Sequence, residues 1–140
     1  MVQAAIAHEP GMEVSRIELD REGTSYTADT LKALHAKYPA ASLFLIVGWD
    51  SLVDLPNWKD PHQILALARL LAVARPGMHT EAPPELADRY AQLPFEENAL
   101  SSTAVREQIV SGKPFDHLVP PAVADLIRGK GIYGASVADR

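Results

Sequence analysis

Leu43 to Val47 is an unbroken run of five apolar residues, closed by Gly48 and followed by Trp49 and Asp50. Such a run reads as a buried parallel strand that delivers polar groups to its carboxyl end, where open α/β sheets hold their ligands. Leu70 to Arg75 repeats the pattern: an apolar run that carries a charge at its end and is stopped by Pro76 and Gly77. Met12, Val14, Ile17 and Leu19 alternate with polar residues, with a slip of phase at Ser15 and Arg16, and predict a short strand turned by Arg21 to Gly23.

Helical spacing fills most of the rest. Met1 to His8 reads as the tail of a helix stopped by Pro10 and Gly11. Ser25 to Leu31 opens a second, with Thr27 as N-cap, Asp29 complementing the dipole in the first turn, Leu31, Leu34 and Tyr38 as the apolar stripe, and Pro39 as the stop. Asp60 and Pro61 cap a helix running to about Arg69, with Gln63 three residues after the cap. Glu85 to Leu93 reads as a helix of modest amphipathicity. Ser101, Ser102 and Thr103 stand ahead of Val105, Ile109 and Val110, and Gly112 ends that helix. Pro120 and Pro121 start the last helix, with Val123, Leu126 and Ile127 inward and Gly129 closing it. Residues 51 to 60 read as a loop.

Strands alternating with helices predict an α/β fold with a parallel sheet. Three strands are too few for a doubly wound sheet, and the chain opens on a helix where the first strand and its phosphate-binding turn would stand.

At 140 residues the chain is expected to be one domain. An apolar content of 47% with 22% charged residues excludes disorder. The net charge of −5 and the lack of any basic run argue against a nucleic-acid partner. No cysteine is present, which suits a reducing compartment. No apolar run approaches the ~20 residues that span a bilayer, and the N-terminus lacks a signal-peptide pattern. The expectation is a soluble, cytoplasmic protein with no membrane partner.

Ser101, Ser102, Thr103 and Arg106 combine a helix N-terminus, hydroxyls and a guanidinium, a set suited to polyphosphate. A well-capped helix with an exposed Arg explains the local pattern better if nothing else is considered. Gly48 permits close approach of a ligand and Asp50 can accept bonds from ribose hydroxyls, although turn and cap roles serve as well. Trp58, after Pro56 and Asn57, is a stacking platform or a lid, and Trp49 poses the same choice; packing is the better reading of either alone. His8, His35, His62, His79 and His117 have no zinc spacing, so no metal site is assigned. Neither a G-x-S-x-G nor a P-loop pattern is present.

Taken in order, Ser25 to Leu31, Val47 to Asp50, Leu55 to Trp58, Ala74 to Gly77, Leu100 to Arg106, and Leu118 to Pro120 through Gly131 to Tyr133 resemble the bacterial nicotinate-nucleotide adenylyltransferases over nearly the whole chain. The S-S-T-x-x-R segment is shared across nucleotidyltransferases, including phosphopantetheine adenylyltransferases. The Y-T-x-x-T-L and L-P-x-W segments narrow the match to the nicotinate branch. The resemblance implies a Rossmann-like nucleotidyltransferase fold and adenylyl transfer from ATP to nicotinate mononucleotide, typically with Mg²⁺. It implies that Ser102, Thr103 and Arg106 hold the ATP phosphates beside Ser101, with Arg75 facing them. Gly48 and Asp50 would lie against the adenosine, Trp58 would stack on the pyridine ring, and Thr27 would help receive its carboxylate through backbone N–H.

The chain departs from the family at its start. Family members begin with a strand, a Gly-rich turn and an H-x-G-H motif, and here Met1 falls in the helix after the family's second strand. The expectation is therefore an N-terminally incomplete domain, impaired in transfer, since each lost donor to developing charge costs ~10² to 10³ in rate. A sheet lacking that strand is expected to aggregate, to pair as a homo-oligomer or to melt early. The alternatives are a phosphopantetheine adenylyltransferase-like enzyme, in which Trp58 has no pyridine to stack on, or a non-catalytic remnant that binds a nucleotide or a partner.

Overall fold

A computed structural model describes residues 1–73, 82–94 and 100–135. Its regular elements are helices α1 (Val2–Ala5) and α2 (Thr27–Lys37), strand β1 (Leu43–Gly48), helices α3 (Trp49–Asp54) and α4 (Pro61–Leu67), strands β2 (Ala68–Val73) and β3 (Tyr90–Leu93), and helices α5 (Ser102–Val110) and α6 (Pro121–Gly129). The chain divides into two compact units, Arg16–Glu97 and the pair of segments Met1–Ser15 and Asn98–Arg140.

The larger unit is built on a three-stranded parallel sheet in the order β1-β2-β3. Leu43 pairs with Ala68 and Gly48 with Val73 along the first ladder, and Leu70 pairs with Tyr90 along the second. Side chains alternate across a strand, so Leu43, Leu45 and Val47 share one face with Ala68, Leu70 and Ala72. Ala28 and Leu31 of α2, Leu52 of α3, Leu55 just after it and Ile64 of α4 pack with these residues into one core. Leu52 and Ile64 have no exposed surface. The opposite face carries Phe44 and Ile46, 54% and 65% exposed. The run 43 to 47 is thus covered on one face, whereas an apolar run of this kind predicts cover on both; helices pack against a single side of β1 among the described residues.

Other expectations also shift. Residues 12 to 19 form no strand: Met12, Val14 and Leu19 are exposed, and Arg16 turns back on Asp20 through a backbone bond of 2.9 Å and a side-chain bridge of 3.1 Å. The broken alternation left that segment without a continuous apolar face to bury. Residues 85 to 93 form a single 3-10 turn, Pro84–Leu86, and then β3. Pairing with β2 outweighs helical preference there, and Leu86, 1% exposed, is the one residue of the turn that joins the core. Helix α4 ends at Leu67 and β2 starts at once, two residues earlier than the apolar run predicts. Helix α2 buries Ala28 and Leu31, while Tyr38 lies outside, 41% exposed, under the Lys37 ammonium.

In the smaller unit, Val105 and Ile109 of α5 pack with Phe115 and with Val123, Ala124 and Ile127 of α6, and Ala4 and Ala5 of α1 lean on the same cluster. Val110 points away, 72% exposed. Arg128 of α6 bridges Asp116 and lies 4.9 Å over the Phe115 ring. That bond holds the Asp116 carboxyl below its ordinary range. The contribution is therefore present above pH 3.8, the ordinary value, and fades as pH falls through the lowered one; being half-exposed, the pair adds little.

Candidate functional site

Gly48 ends β1 and serves as N-cap of α3, with φ −68 and ψ 158. Any residue adopts that backbone, and a Cβ placed there would meet nothing within 4 Å. The glycine is thus not required by the chain's own packing, and it leaves open space at the strand's carboxyl end. Asp50 is exposed in the first turn of α3. Trp49 between them turns inward: it is 8% exposed and stands edge-on to Tyr90, centroids 5.7 Å apart at 81°. Its packing role is therefore that of core, and its buried indole N–H has no hydrogen-bond partner among the described residues.

The stretch after Trp49, expected to be a loop, is α3 followed by a 3-10 turn, Leu55–Asn57. Leu52 and Leu55, three residues apart, bury the same side of it. Pro56 fixes its φ inside the turn, and the Trp58 N–H closes it on the Leu55 carbonyl at 3.0 Å. This arrangement places Trp58 beside the start of α2. The N-cap is Tyr26, with no side-chain cap bond, and not Thr27 as expected; Thr27 is the first residue of the helix, and its backbone N–H is one of those that precede the helix's own ladder.

Tyr26, Thr27, Asn57, Trp58 and Lys59 line one cavity of about 320 Å³, with Ile64 as its floor. Such a volume is at the lower end for small-molecule sites. Lys59 ties its two sides together: the ammonium bonds Asp29 of α2 at 3.0 Å and sits 4.3 Å over the Tyr26 ring. The bond to Asp29, opposed by some desolvation and aided by nearby negative charge, raises the Lys59 pKa above 10.5. The bridge is complete below that ordinary value and is lost only as pH rises through the raised one. Further along α2, Thr30 accepts from Arg21 at 2.9 Å and donates to Glu18 at 2.6 Å, fastening the preceding segment to the helix.

Ser101 is the N-cap of α5; its hydroxyl accepts the Ala104 N–H at 3.1 Å. Ser102 and Thr103 occupy the first turn, exposed, and the Arg106 guanidinium donates to the Thr103 hydroxyl at 3.3 Å. The turn thus groups two hydroxyls, a guanidinium and the free N–H groups of a helix start, all at the positive end of the dipole. Arg75 lies outside the described residues.

The structure thus brings Thr27 and Trp58 to one cavity, Gly48 and Asp50 to one strand end, and Ser101 to Arg106 to one helix start. The sequence reading missed Asp54, Asn57 and Lys59. For Asp54 and Asn57 the signal was the spacing of four and three residues that links Asp54 to Trp58 and to Asn57, visible only once residues 49 to 54 are read as a helix; Lys59 pairs with Asp29, thirty residues away, and left no local signal.

Residues 1–108 match the cytidylyltransferase-like family, so the parallel sheet and its helices are those of a nucleotidyltransferase. The nicotinate-nucleotide adenylyltransferase of Bacillus subtilis is 38% identical over 133 residues, 95% of this chain and 68% of that protein. A probable nicotinate-nucleotide adenylyltransferase of Herpetosiphon aurantiacus is 39% identical, over 95% of this chain and 70% of its own length. The chain belongs to the nicotinate-nucleotide adenylyltransferases. Among solved structures, the nicotinic acid mononucleotide adenylyltransferase of Plasmodium falciparum complexed with APC superposes with a TM-score of 0.61 at 16% identity. It matches 80% of this chain, which spans 60% of that one, and it bears on the fold alone.

Proposed function

We propose that the chain serves adenylyl transfer from ATP to nicotinate mononucleotide in NAD biosynthesis, as a single nucleotidyltransferase domain working in the cytoplasm. A phosphate oxygen of the mononucleotide attacks the α-phosphorus of ATP in line, the bond to the β-phosphate oxygen breaks, and pyrophosphate leaves with that electron pair. The product is the deamido dinucleotide. The nucleophile is already an anion, so no strong base is needed, and catalysis consists of positioning and charge neutralisation.

The residues divide the work. Trp58 stacks on the pyridine ring, and the Thr27 N–H receives its carboxylate at the start of α2. Gly48 admits the adenosine and Asp50 accepts from its ribose. Ser102, Thr103 and Arg106 hold phosphate oxygens beside the Ser101 cap, and Arg75 is assigned to the phosphates as well. Mg²⁺ would arrive with ATP. Among the described residues no His, Asp and Glu side chains converge into a metal cluster, and Mg²⁺ is commonly held by substrate phosphates and water with one or two carboxylates. Its chemistry is to neutralise phosphate charge.

The observation that supports this reading most directly is the shared cavity of Thr27 and Trp58, in a chain whose relatives are named for the nicotinate nucleotide. Trp58→Ala is expected to weaken nicotinate mononucleotide binding about ten-fold, the order of one aromatic stacking contact, as read by titration calorimetry. An unchanged affinity would remove Trp58 from the site and favour an acceptor without a pyridine ring.

A further inference from the structure

Trp58 sits in a short turn, partly exposed, where an indole has several rotamers open to it. One carboxylate removes that freedom. The Trp58 Nε1–H donates to Asp54 Oδ2 at 3.2 Å, and the Asn57 amide donates to Asp54 Oδ1 at 3.0 Å. Each oxygen thus takes one donor, and Asn57 and Trp58, two of the three residues that line the cavity from this side, are held from a single point. Asp54, the exposed last residue of α3, is carried on backbone anchored by Leu52 two residues before it, fully buried, and by Leu55 after it, 1% exposed.

Its position argues that the carboxylate is not there for the helix. A negative charge in the last turn of α3 faces the negative end of that dipole, which is unfavourable, and although Asp54 also stands as N-cap of the 3-10 turn Leu55–Asn57, its side chain makes no cap bond there. The side chain faces forward onto the turn and not back onto α3, and its two bonds both go to residues that line the cavity.

We propose that Asp54 is a positioning residue for the acceptor nucleotide: it locks the Trp58 indole as the wall against which the pyridine ring stacks. The inference rests on the reading of the cavity given above. The chemistry of that ring adds a second effect. The pyridine of nicotinate mononucleotide bears ribose on nitrogen and is therefore a cation, and a cation is attracted to an indole face. A carboxylate bonded to the indole N–H places negative charge at the ring edge and strengthens that attraction.

The test uses the full chain, first without ligand. Indole N–H resonances of Trp49 and Trp58 are assigned with Trp58→Phe, and Asp54→Ala is expected to move the Trp58 signal and speed its exchange with solvent while leaving that of Trp49 in place. Nicotinate mononucleotide is then titrated. Asp54→Ala is expected to lower affinity about five-fold, the order of one ordinary hydrogen bond, since the bond lost orients the indole and does not itself touch the ligand, and to weaken the indole–pyridinium charge-transfer absorption. Asp54→Asn, which keeps an acceptor for the indole but loses the charge, should restore the resonance and most of the affinity with a weaker band. A Trp58 resonance and an affinity both unchanged in Asp54→Ala would overturn the proposal. Should the unsubstituted chain fail to bind the mononucleotide, the substrate reading fails, and with it Asp54's role toward that ring; the resonance shift would then still decide whether Asp54 orients the indole.

Discussion

Arg106→Ala is expected to lower the affinity for ATP by roughly two orders of magnitude, the largest single effect on binding anticipated for this chain. Charge-assisted bonds to phosphate contribute about 1.5–3 kcal/mol each, and a guanidinium makes two such bonds in parallel where geometry permits. Arg106 lies one turn into α5, where its charge adds to the helix dipole and to the hydroxyls of Ser102 and Thr103. In the free protein the guanidinium donates to Thr103 at 3.3 Å, a weak bond that a phosphate readily displaces. The residue is exposed and outside the apolar cluster of its unit, so thermal unfolding should be nearly unchanged. Calorimetric titration with ATP decides the matter, and equal affinity in the two proteins would mean that α5 is merely a well-capped helix. Arg106→Lys should recover part of the loss, because a point charge replaces the charge but not the planar fork.

Leu52→Ala is expected to cost about 3–4 kcal/mol of stability, measured by urea unfolding. Leu52 has no exposed surface and lies at the centre of the larger core, between α3 and the sheet. Removing a buried leucine loses its transfer free energy and leaves a cavity that the surroundings only partly fill, which is why such substitutions range over about 2–5 kcal/mol. Against a total that for most domains is only about 5–15 kcal/mol, this is a large fraction. Val53→Ala on the same helix is the control. Val53 is 37% exposed, and its truncation should cost less than about 1 kcal/mol. Similar losses for the two would place α3 less firmly on the sheet than its burial implies.

The parts of the fold legible in the sequence were those in which local and tertiary preferences agree. Residues 43 to 47 are all apolar, three of the five β-branched or aromatic, and with Gly48 they form β1 at the bounds the pattern predicts. Pro61 stands at the first position of α4 and Ser101 caps α5 through its hydroxyl, because such signals act through the residues beside them; Asp60 precedes α4 as expected, but with φ 51 and no bond from its carboxylate to the helix start, so the expected side-chain cap does not form. Tertiary contacts decided the rest. Nothing local distinguishes Tyr90 to Leu93 from a helical turn; the open side of β2 selects the strand. The segment 49 to 54 was obscured because Gly48 and Pro56, both punctuators, bracket a helix of only six residues. The same helix hid Asp54, whose relation to Trp58 is a matter of helical spacing. Trp49 and Trp58, indistinguishable as letters, part company in space: one is core, the other lines a cavity.

The outer edge of β1, which has no strand against it among the described residues, divides the backbone of that strand in two. In a parallel ladder each residue directs both its N–H and its C=O to the same side, and the next residue directs both to the other. Alternate amides of residues 43 to 48 are therefore bonded to β2, while those between them face outward. Hydrogen exchange should separate a protected set from a set that exchanges at rates close to an open chain, one residue apart along a single strand. A strand arriving from outside would merge the two sets into one protected series, so the exchange pattern of six residues reports directly whether that edge is occupied.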